Sequence, residues 1–530
     1  MGSMDCKDVE DDESAADSLW FTKPDTVFSQ LICHQRPEAE SSTCMDTNGE
    51  QDDFTAHNVS QPQLAGGVRA MGCERLFELQ KIMLKKIRFS CSAGGFFGFQ
   101  HGTECESDLC ICSPTGTGKT LAYMLPVLDT LVNLNGAYMM GHPKILVLAP
   151  TKDLVDQIFA VCSTLTSKLG VSVVKIGSSN VSLKEEASSL VEQCPLSQSL
   201  HPTADIVVAT PGRLAEHLKT TEGFSLKYLR FLIIDEADAL FNMHPFDWLT
   251  QIETSIHCGD PAVPRIDPRN RKLKDLLRND WVPMQKILVS ATFPTSTEVL
   301  QPFQLHKPKL IVSENIFKSS QTMLSSGGNL MFIPSNISVK YIICEEMDKP
   351  LIFLYFLMEL KLSRFLCFTK GCKTAEKLFS LFNLMSRDAN VCFLSKAKPN
   401  QHASLLKKFS KGEINGVISN DVLARGIDLS FDSVLIYDHN SDPNTFVHRV
   451  GRCGRAGRNG TAVSIVTPYE IDSFLHMTSS QLGLNGGSGG GPRVENVSAD
   501  DVNIAQMKPQ YMASLKKLKT EARSRHFKRN

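Results

Sequence analysis

The residues Ser113-Pro114-Thr115-Gly116-Thr117-Gly118-Lys119-Thr120 combine glycines, hydroxyls and one lysine in a spacing suited to a phosphate. Gly116 and Gly118 let backbone N–H groups turn inward around phosphate oxygens, and a helix beginning beside them adds a positive dipole end. Lys119 is placed to neutralise the outer phosphates of a bound triphosphate, Thr120 to ligate Mg2+, and Thr115 and Thr117 to complete the cradle. Ser113 takes the place of the first glycine in the general pattern. Further on, the apolar run 231–234 ends in Asp235-Glu236-Ala237-Asp238. A strand carrying carboxylates at its tip is the natural complement of a phosphate loop: Asp235 for the metal, Glu236 for the attacking water. Two arginines, Arg452 and Arg455, stand i, i+3 and share a face if they lie on a helical turn. Each feature also has a plainer reading: a glycine-rich turn, a solvated acidic turn, or a basic helix end that clamps phosphate.

Groups this far apart in sequence need a scaffold that brings them together. Short β-rich apolar runs at 108–112, 145–149, 205–209, 231–235 and 286–290 alternate with helical patterns, among them 121–132 after the lysine. A second set lies at 365–369, 391–395, 416–420, 434–438 and 462–466. Runs apolar on both faces and separated by helices argue for parallel sheets covered on both sides. Two such sets imply two α/β domains that meet near 315–340. Functional groups in open parallel sheets gather at the carboxyl ends of strands, where every motif above falls.

Composition narrows the class. The chain has 530 residues, 42% hydrophobic and 21% charged, an ordinary globular balance long enough for two or three domains. Its formal net charge of -1 shows no bias toward a polyanion, so a nucleic-acid site must be a local groove. The 16 cysteines include no C-x-x-C pair, no His pair has zinc spacing, and cysteine reads as a small buried hydrophobe in a reducing compartment. The most apolar stretch, 351–360, is too short to span a bilayer, and acidic residues stand where a signal peptide needs basic ones. The expectation is a soluble intracellular protein without a membrane partner. Residues 1–68 are polar and acidic and are expected to be disordered. The expected order continues with an ATP-binding domain over 69–315, a linker or insert over 316–340, and a second domain over 341–482. A Gly/Ser linker and basic tail over 483–530 complete it. For the tail, a localisation signal, an RNA-phosphate contact and a solvated helix end all stay open.

Taken in order, the phosphate loop, Pro150-Thr151-Lys152-Asp153-Leu154, Thr210-Pro211-Gly212-Arg213-Leu214, Asp235-Glu236-Ala237-Asp238, Ser290-Ala291-Thr292, Ala424-Arg425-Gly426-Ile427-Asp428 and His448-Arg449-Val450-Gly451-Arg452-Cys453-Gly454-Arg455 resemble the DEAD-box RNA helicases over residues 70–480. The resemblance implies two tandem RecA-like domains, ATP and Mg2+ as cofactors, and RNA as partner. It implies that Arg452 and Arg455 are arginine fingers and that Asp428 meets the ATP ribose. Pro150, Thr151, Lys152, Thr210, Gly212, Arg213, Arg425 and Gly426 would touch the RNA backbone with little sequence preference. Ser290, Thr292, His448 and Arg449 would couple nucleotide state to strand separation, and Gln80 would read the adenine edge. Long inserts at 258–281 and 319–334 are similar to the subfamily acting in large-ribosomal-subunit assembly. That likeness implies pre-rRNA, pre-ribosomal assembly factors or an activator as partners, a nuclear and nucleolar location, and a monomer.

Several positions depart from the family pattern. Lys152 and Asp153 replace arginine and glutamate, Ser178 a glycine, Asn420 and Cys453 threonines, and His402 an arginine, and Gln80 lacks its usual proline context. The family's upstream aromatic, which stacks on adenine, has no counterpart. Intact hydrolysis with weak unaided RNA affinity is the expectation. An ATP-gated RNA clamp with dispensable turnover is the alternative, and a DNA-directed ATPase a third.

Overall fold

The computed structural model describes residues 62–92, 107–114, 116–133, 142–177, 181–193, 200–241, 247–257, 284–294, 297–306, 308–312, 331, 333–334, 336–358, 364–385, 391–394, 402–421, 429, 431–455, 458–484, 494–497 and 507–527. The stretch 1–61 and the insert 258–281 lie outside the described residues, as do most of the insert 319–334 and of the Gly/Ser run.

The first domain is a parallel sheet. Its strands are β1 (Leu109–Cys112), β2 (Ile145–Leu148), β3 (Val173–Ile176), β6 (Ile206–Ala209), β7 (Phe231–Asp235), β8 (Gln285–Ser290) and β9 (Lys309–Val312), with β4 (Val191–Gln193) and β5 (Leu200–Pro202) forming a separate antiparallel pair. The spatial order is β3-β6-β2-β7-β8-β1-β9. Alternating side chains serve two cores: β1 sends Leu109 and Ile111 to one face and Cys110 and Cys112 to the other. Burial in apolar surroundings pushes the Cys112 thiol up to about 12, so these cysteines behave as hydrophobes. The second domain repeats the design with β10 (Ile337–Ile343), β11 (Phe365–Thr369), β12 (Val391–Phe393), β13 (Gly416–Asn420), β14 (Ser433–Ile436), β15 (Gly460–Val466) and β16 (Val494–Asn496), in the order β12-β13-β11-β14-β15-β10-β16. The fold is therefore two parallel sheets covered by helices, as expected.

Four strands of the two large sheets were not among the expected apolar runs: β3, β9, β10 and β16. All lie at or next to a sheet edge, and each keeps half-exposed positions, Lys175, Lys309, Lys340 and Glu495 among them. A strand wet on one side does not read as a continuous apolar run.

The packed chain also reaches past the expected boundaries at both ends. The helix Pro62–Ala70 buries Leu64, Ala65 and Val68 in the first core. Gly67 lies so close to the helix Lys152–Thr166 that a Cβ there would sit 3.1 Å from the Leu165 Cα. Beyond 482, β16 pairs in parallel with β10, and the helix Lys508–Phe527 rests on the helix Cys372–Met385. Met507 and Tyr511 enter the core, and Gln510 Nε2 donates to the Met385 carbonyl at 3.1 Å. The region expected as linker and tail thus supplies an edge strand and a packed helix. Its apolar residues at 507, 511, 515 and 518 recur at helical spacing, masked by adjacent lysines. Among the described residues, no helix is long and apolar enough to cross a membrane.

Candidate active site

Strand order divides the carboxyl rim of the first sheet into two halves. β7, β8 and β1 are neighbours, so the loops after them bring Asp235-Glu236, Ser290 and the phosphate loop together. β6 and β2 are also neighbours, and each runs almost directly into a helix, Pro211–Thr220 and Lys152–Thr166. Two helix N-termini therefore open side by side on that rim, where their dipoles favour negative charge.

In the phosphate loop Gly116 and Gly118 have φ of 84° and 72°, the left-handed region that glycine enters without strain. Ser113 Oγ and Thr117 Oγ1 lie 2.8 Å apart across the loop, and Thr117 Oγ1 donates to the Pro114 carbonyl at 2.9 Å. Lys119 opens its helix, and its Nζ donates to the carbonyls of Ser113 at 3.0 Å and Pro114 at 3.3 Å. Burial lowers its ammonium below the usual range, against the pull of Asp235, Glu236 and Asp238.

The carboxylates form a graded set. Burial pushes Asp235 up to about 6, although Lys119 pulls it down. Its Oδ2 accepts from the buried Tyr123 hydroxyl at 2.8 Å and its Oδ1 from the Glu236 N–H at 2.9 Å. Glu236 has φ of 46°, a left-handed conformation unusual for a residue with a Cβ. Asp238 accepts from Ser290 Oγ at 2.5 Å, and its other oxygen lies 2.6 Å from His448 Nε2 of the second domain. Burial alone would raise Asp238, but His448, Ser290 and Lys119 outweigh it and hold the carboxyl down at about 2. Oxygen donors of this kind fit Mg2+, which binds through one or two carboxylates plus phosphates and water. No cluster of three metal-ligating side chains occurs among the described residues.

The second domain presents its charges across the cleft. Asp442 caps the helix Pro443–Val450, accepting from Asn444 and Thr445, and the turn after that helix carries both arginines. Arg452 Nη2 lies 3.9 Å from Glu236 Oε1, with the Arg452 side chain 6% exposed. Arg455 lies against the phosphate loop, its Cγ 2.8 Å from where a Cβ on Gly116 would stand. Arg449 is tied within its own domain, donating to Asp421 through Nε and Nη2, both at 2.7 Å, and to the Asp438 carbonyl.

Residues expected at RNA divide. Thr151 caps its helix, accepting from Leu154 N at 3.4 Å, and Lys152 beside it is exposed. Thr210 precedes the helix Pro211–Thr220, and Gly212 has open space around it. Arg213 is largely occupied: Nε donates to Glu186 at 2.7 Å and Nη1 to Glu216 at 2.9 Å. Thr115, Ser178, Arg425, Gly426 and Asp428 lie outside the described residues.

The chain matches two family profiles, DEAD/DEAH box helicase over residues 100–300 and helicase conserved C-terminal domain over residues 348–457. It is 32% identical to the human ATP-dependent RNA helicase DDX51 over 88% of this chain and 69% of that protein. It belongs to the DEAD-box RNA helicases. The Arabidopsis thaliana DEAD-box ATP-dependent RNA helicase 1 is 28% identical over 87% of this chain and 85% of its own length. The Aspergillus niger ATP-dependent RNA helicase dbp6 is 29% identical over 90% and 82%. Among solved structures, S. cerevisiae Dbp5 bound to RNA and ADP BeF3 superposes with a TM-score of 0.59 at 19% identity, covering 86% of this chain and 97% of that one. Mss116p bound to ssRNA and AMP-PNP gives 0.60 at 21% identity, covering 82% and 77%. At these identities the structures support the shared fold.

Within this DEAD-box protein, three residues at the site were not singled out from sequence. Asp238 was visible as the last letter of the motif, but its link to His448 depends on the second domain. Tyr123 is one apolar-looking position of a helix, and nothing in the sequence marks its hydroxyl. Glu186 sits in an unremarkable polar stretch. It is 2% exposed, accepts from Gly177 N at 2.8 Å and from Arg213, and lies 3.0 Å from His217 Nε2.

Proposed function

We propose that this RNA helicase couples ATP hydrolysis to local opening of short RNA duplexes, or to remodelling of ribonucleoprotein, during large-ribosomal-subunit assembly in the nucleolus. The supporting observation is that three contacts join the second domain to the nucleotide groups of the first: Arg452 to Glu236, Arg455 to Gly116 and His448 to Asp238.

In this reading the phosphate loop and Lys119 hold the triphosphate. Asp235 and Thr120 would hold Mg2+, which supplies charge neutralisation at the transferring phosphoryl group. Glu236 orients and deprotonates the attacking water, and Arg452 and Arg455 stabilise charge on the transition state. The RNA backbone runs over the paired helix N-termini at Thr151 and Thr210. RNA bound by both domains favours their closed arrangement, and closure in turn assembles the arginines. By reciprocity RNA and ATP strengthen each other. Backbone contacts carry no sequence information, so target choice falls to partners. The ribosomal assignment rests on the resemblance of the long inserts and on the likeness to DDX51 and dbp6.

One observation favours a clamp over a motor: Arg213 is occupied by carboxylates and Lys152 lacks the bidentate fork of arginine, so the RNA grip is weaker than the family pattern implies. The test is phosphate release by the purified full chain with RNA, DNA or neither, for wild type and Glu236→Gln. The motor reading expects RNA-specific stimulation and a loss of about 10²–10⁴-fold in the variant, with no rescue of cells lacking the wild type. Full rescue by Glu236→Gln would favour the clamp, and equal stimulation by DNA would remove the RNA-specific reading.

A further inference from the structure

The turn that carries the two arginines is seated on the starts of β15 and β10. Gly454 has φ of 67°, and a Cβ on Gly460 would lie 2.5 Å from the Gly454 N, so the two glycines stand back to back. A Cβ on Gly454 would in turn meet Ile337 Cγ1 at 2.7 Å. Beneath the turn Cys453 is buried, and its thiol donates to the Val450 carbonyl at 3.2 Å. One side chain from outside the motif closes over this arrangement. Asn336 stands one residue before β10, at the end of the stretch that joins the two domains. Its Nδ2 donates to the Gly454 carbonyl at 2.9 Å and to the Arg458 carbonyl. Its own backbone carbonyl accepts from the Gly460 N–H at 3.0 Å. The two carbonyls held by the amide thus belong to the residue before Arg455 and to one shortly after it. Arg455 itself reaches across the cleft to Gly116.

We propose that Asn336 is a positioning residue for hydrolysis: its amide clasps the backbone on both sides of Arg455 and so aims the guanidinium at the transferring phosphoryl group. This rests on the proposed role of Arg455 and extends it to a residue outside the motif. An amide NH2 carries two donors, and here each finds one carbonyl. Aspartate has nearly the same shape but is acceptor-only when ionised, so it would set like partial charges against each other; alanine offers neither donor. An arginine finger is worth about 10³–10⁵ in turnover, which leaves a large loss within reach when its base is loosened. A misplacement of about 1 Å is enough to cost about a hundredfold. ATP binding relies on the phosphate loop of the first domain and is spared.

The experiment measures phosphate release by the full chain at saturating RNA, for wild type, Asn336→Ala and Asn336→Asp, each also combined with Arg455→Lys. The proposal expects kcat to fall about 10- to 100-fold in Asn336→Ala and further in Asn336→Asp, with KM for ATP within about threefold of wild type. In the Arg455→Lys background the guanidinium is already gone, so adding Asn336→Ala should lower kcat by less than about threefold. A merely structural role behaves differently, because a loosened domain loses activity by the same factor in both backgrounds. Thermal unfolding of each variant records any such loosening. Equal factors in the two backgrounds overturn the proposal, as does wild-type kcat in Asn336→Ala, and both leave the arginine finger in place. Wild-type turnover in Arg455→Lys would instead remove the finger, and with it the task assigned to Asn336.

Discussion

His448 offers the most direct handle on communication between the domains. Its Nε2 lies 2.6 Å from Asp238 Oδ2, with the two side chains only 15% and 14% exposed, so solvent screens the contact little. His448→Ala removes the bond and leaves Asp238 with Ser290. A hydrogen bond to a charged group is worth about 1.5–3 kcal/mol. At about 1.4 kcal/mol per factor of ten, closure of the domains weakens about 10- to 150-fold. The groups that hold nucleotide on the first domain are untouched, so the loss should appear in RNA-stimulated phosphate release at limiting RNA. Affinity for a fluorescent nucleotide without RNA should stay within about twofold of wild type. Asp238→Asn completes a double-mutant cycle, in which the two changes should couple by at least about 1 kcal/mol. Strict additivity, or an equal loss of RNA-free nucleotide affinity, would refute the cross-domain role. The pH sign can also be checked. A carboxyl held down at about 2 keeps its contribution at all pH above its ordinary range and loses it only as pH falls through that value. Asp238 itself therefore gives the coupling no pH dependence near neutrality.

Three further outcomes follow from the same geometry. Arg452→Lys keeps the charge but loses the planar fork, and turnover should fall at least about a hundredfold with nucleotide binding within a few-fold, as single-turnover and equilibrium titrations would separate. Asp235 sits at about 6 because of burial, against an ordinary 3.8. Its carboxylate is therefore disfavoured by folding once pH rises above the unfolded value, fully so above about 6, on the order of 2–3 kcal/mol. Asp235→Asn should raise the midpoint of thermal unfolding at neutral pH while abolishing Mg2+-dependent hydrolysis. In the wild type the Mg2+ requirement should steepen as pH drops below about 6. Tyr511→Ala opens a cavity in the second core and should cost about 3–5 kcal/mol there, lowering that domain's unfolding temperature without changing RNA-free nucleotide affinity.

Elements covered on both faces were legible in the sequence. β1, β2, β7 and β11 read as nearly continuous apolar runs, and the motifs at the strand tips could be placed from the sequence. What escaped were features whose signal depends on neighbours distant in sequence. β3, β9, β10 and β16 carry lysine or glutamate because one side is wet, and only the pairing makes them strands. The helix Lys508–Phe527 hid its core residues beneath a basic exterior. At the site, residue type identified Lys119, Asp235, Glu236, Arg452 and Arg455 as candidates, since each must be one of very few side chains to do its chemistry. It could not distinguish Gln80 facing a base from Gln80 facing backbone, because the amide serves either. In the fold its Oε1 accepts from the Phe77 N–H at 2.9 Å and its Nε2 donates to the Gly118 carbonyl at 3.2 Å. The same ambiguity applied to Arg213, a phosphate ligand by type that the fold pairs with Glu186.

The left-handed backbone at Glu236 has an evolutionary consequence. Holding a residue with a Cβ there costs on the order of 1 kcal/mol that glycine or asparagine would largely recover. Selection for durability alone would therefore erode the carboxylate. A lineage released from the need to turn over nucleotide should exchange this residue early, and its retention marks chemistry still under demand. Among related chains, the identity of this one amino acid would then sort active enzymes from descendants that only bind.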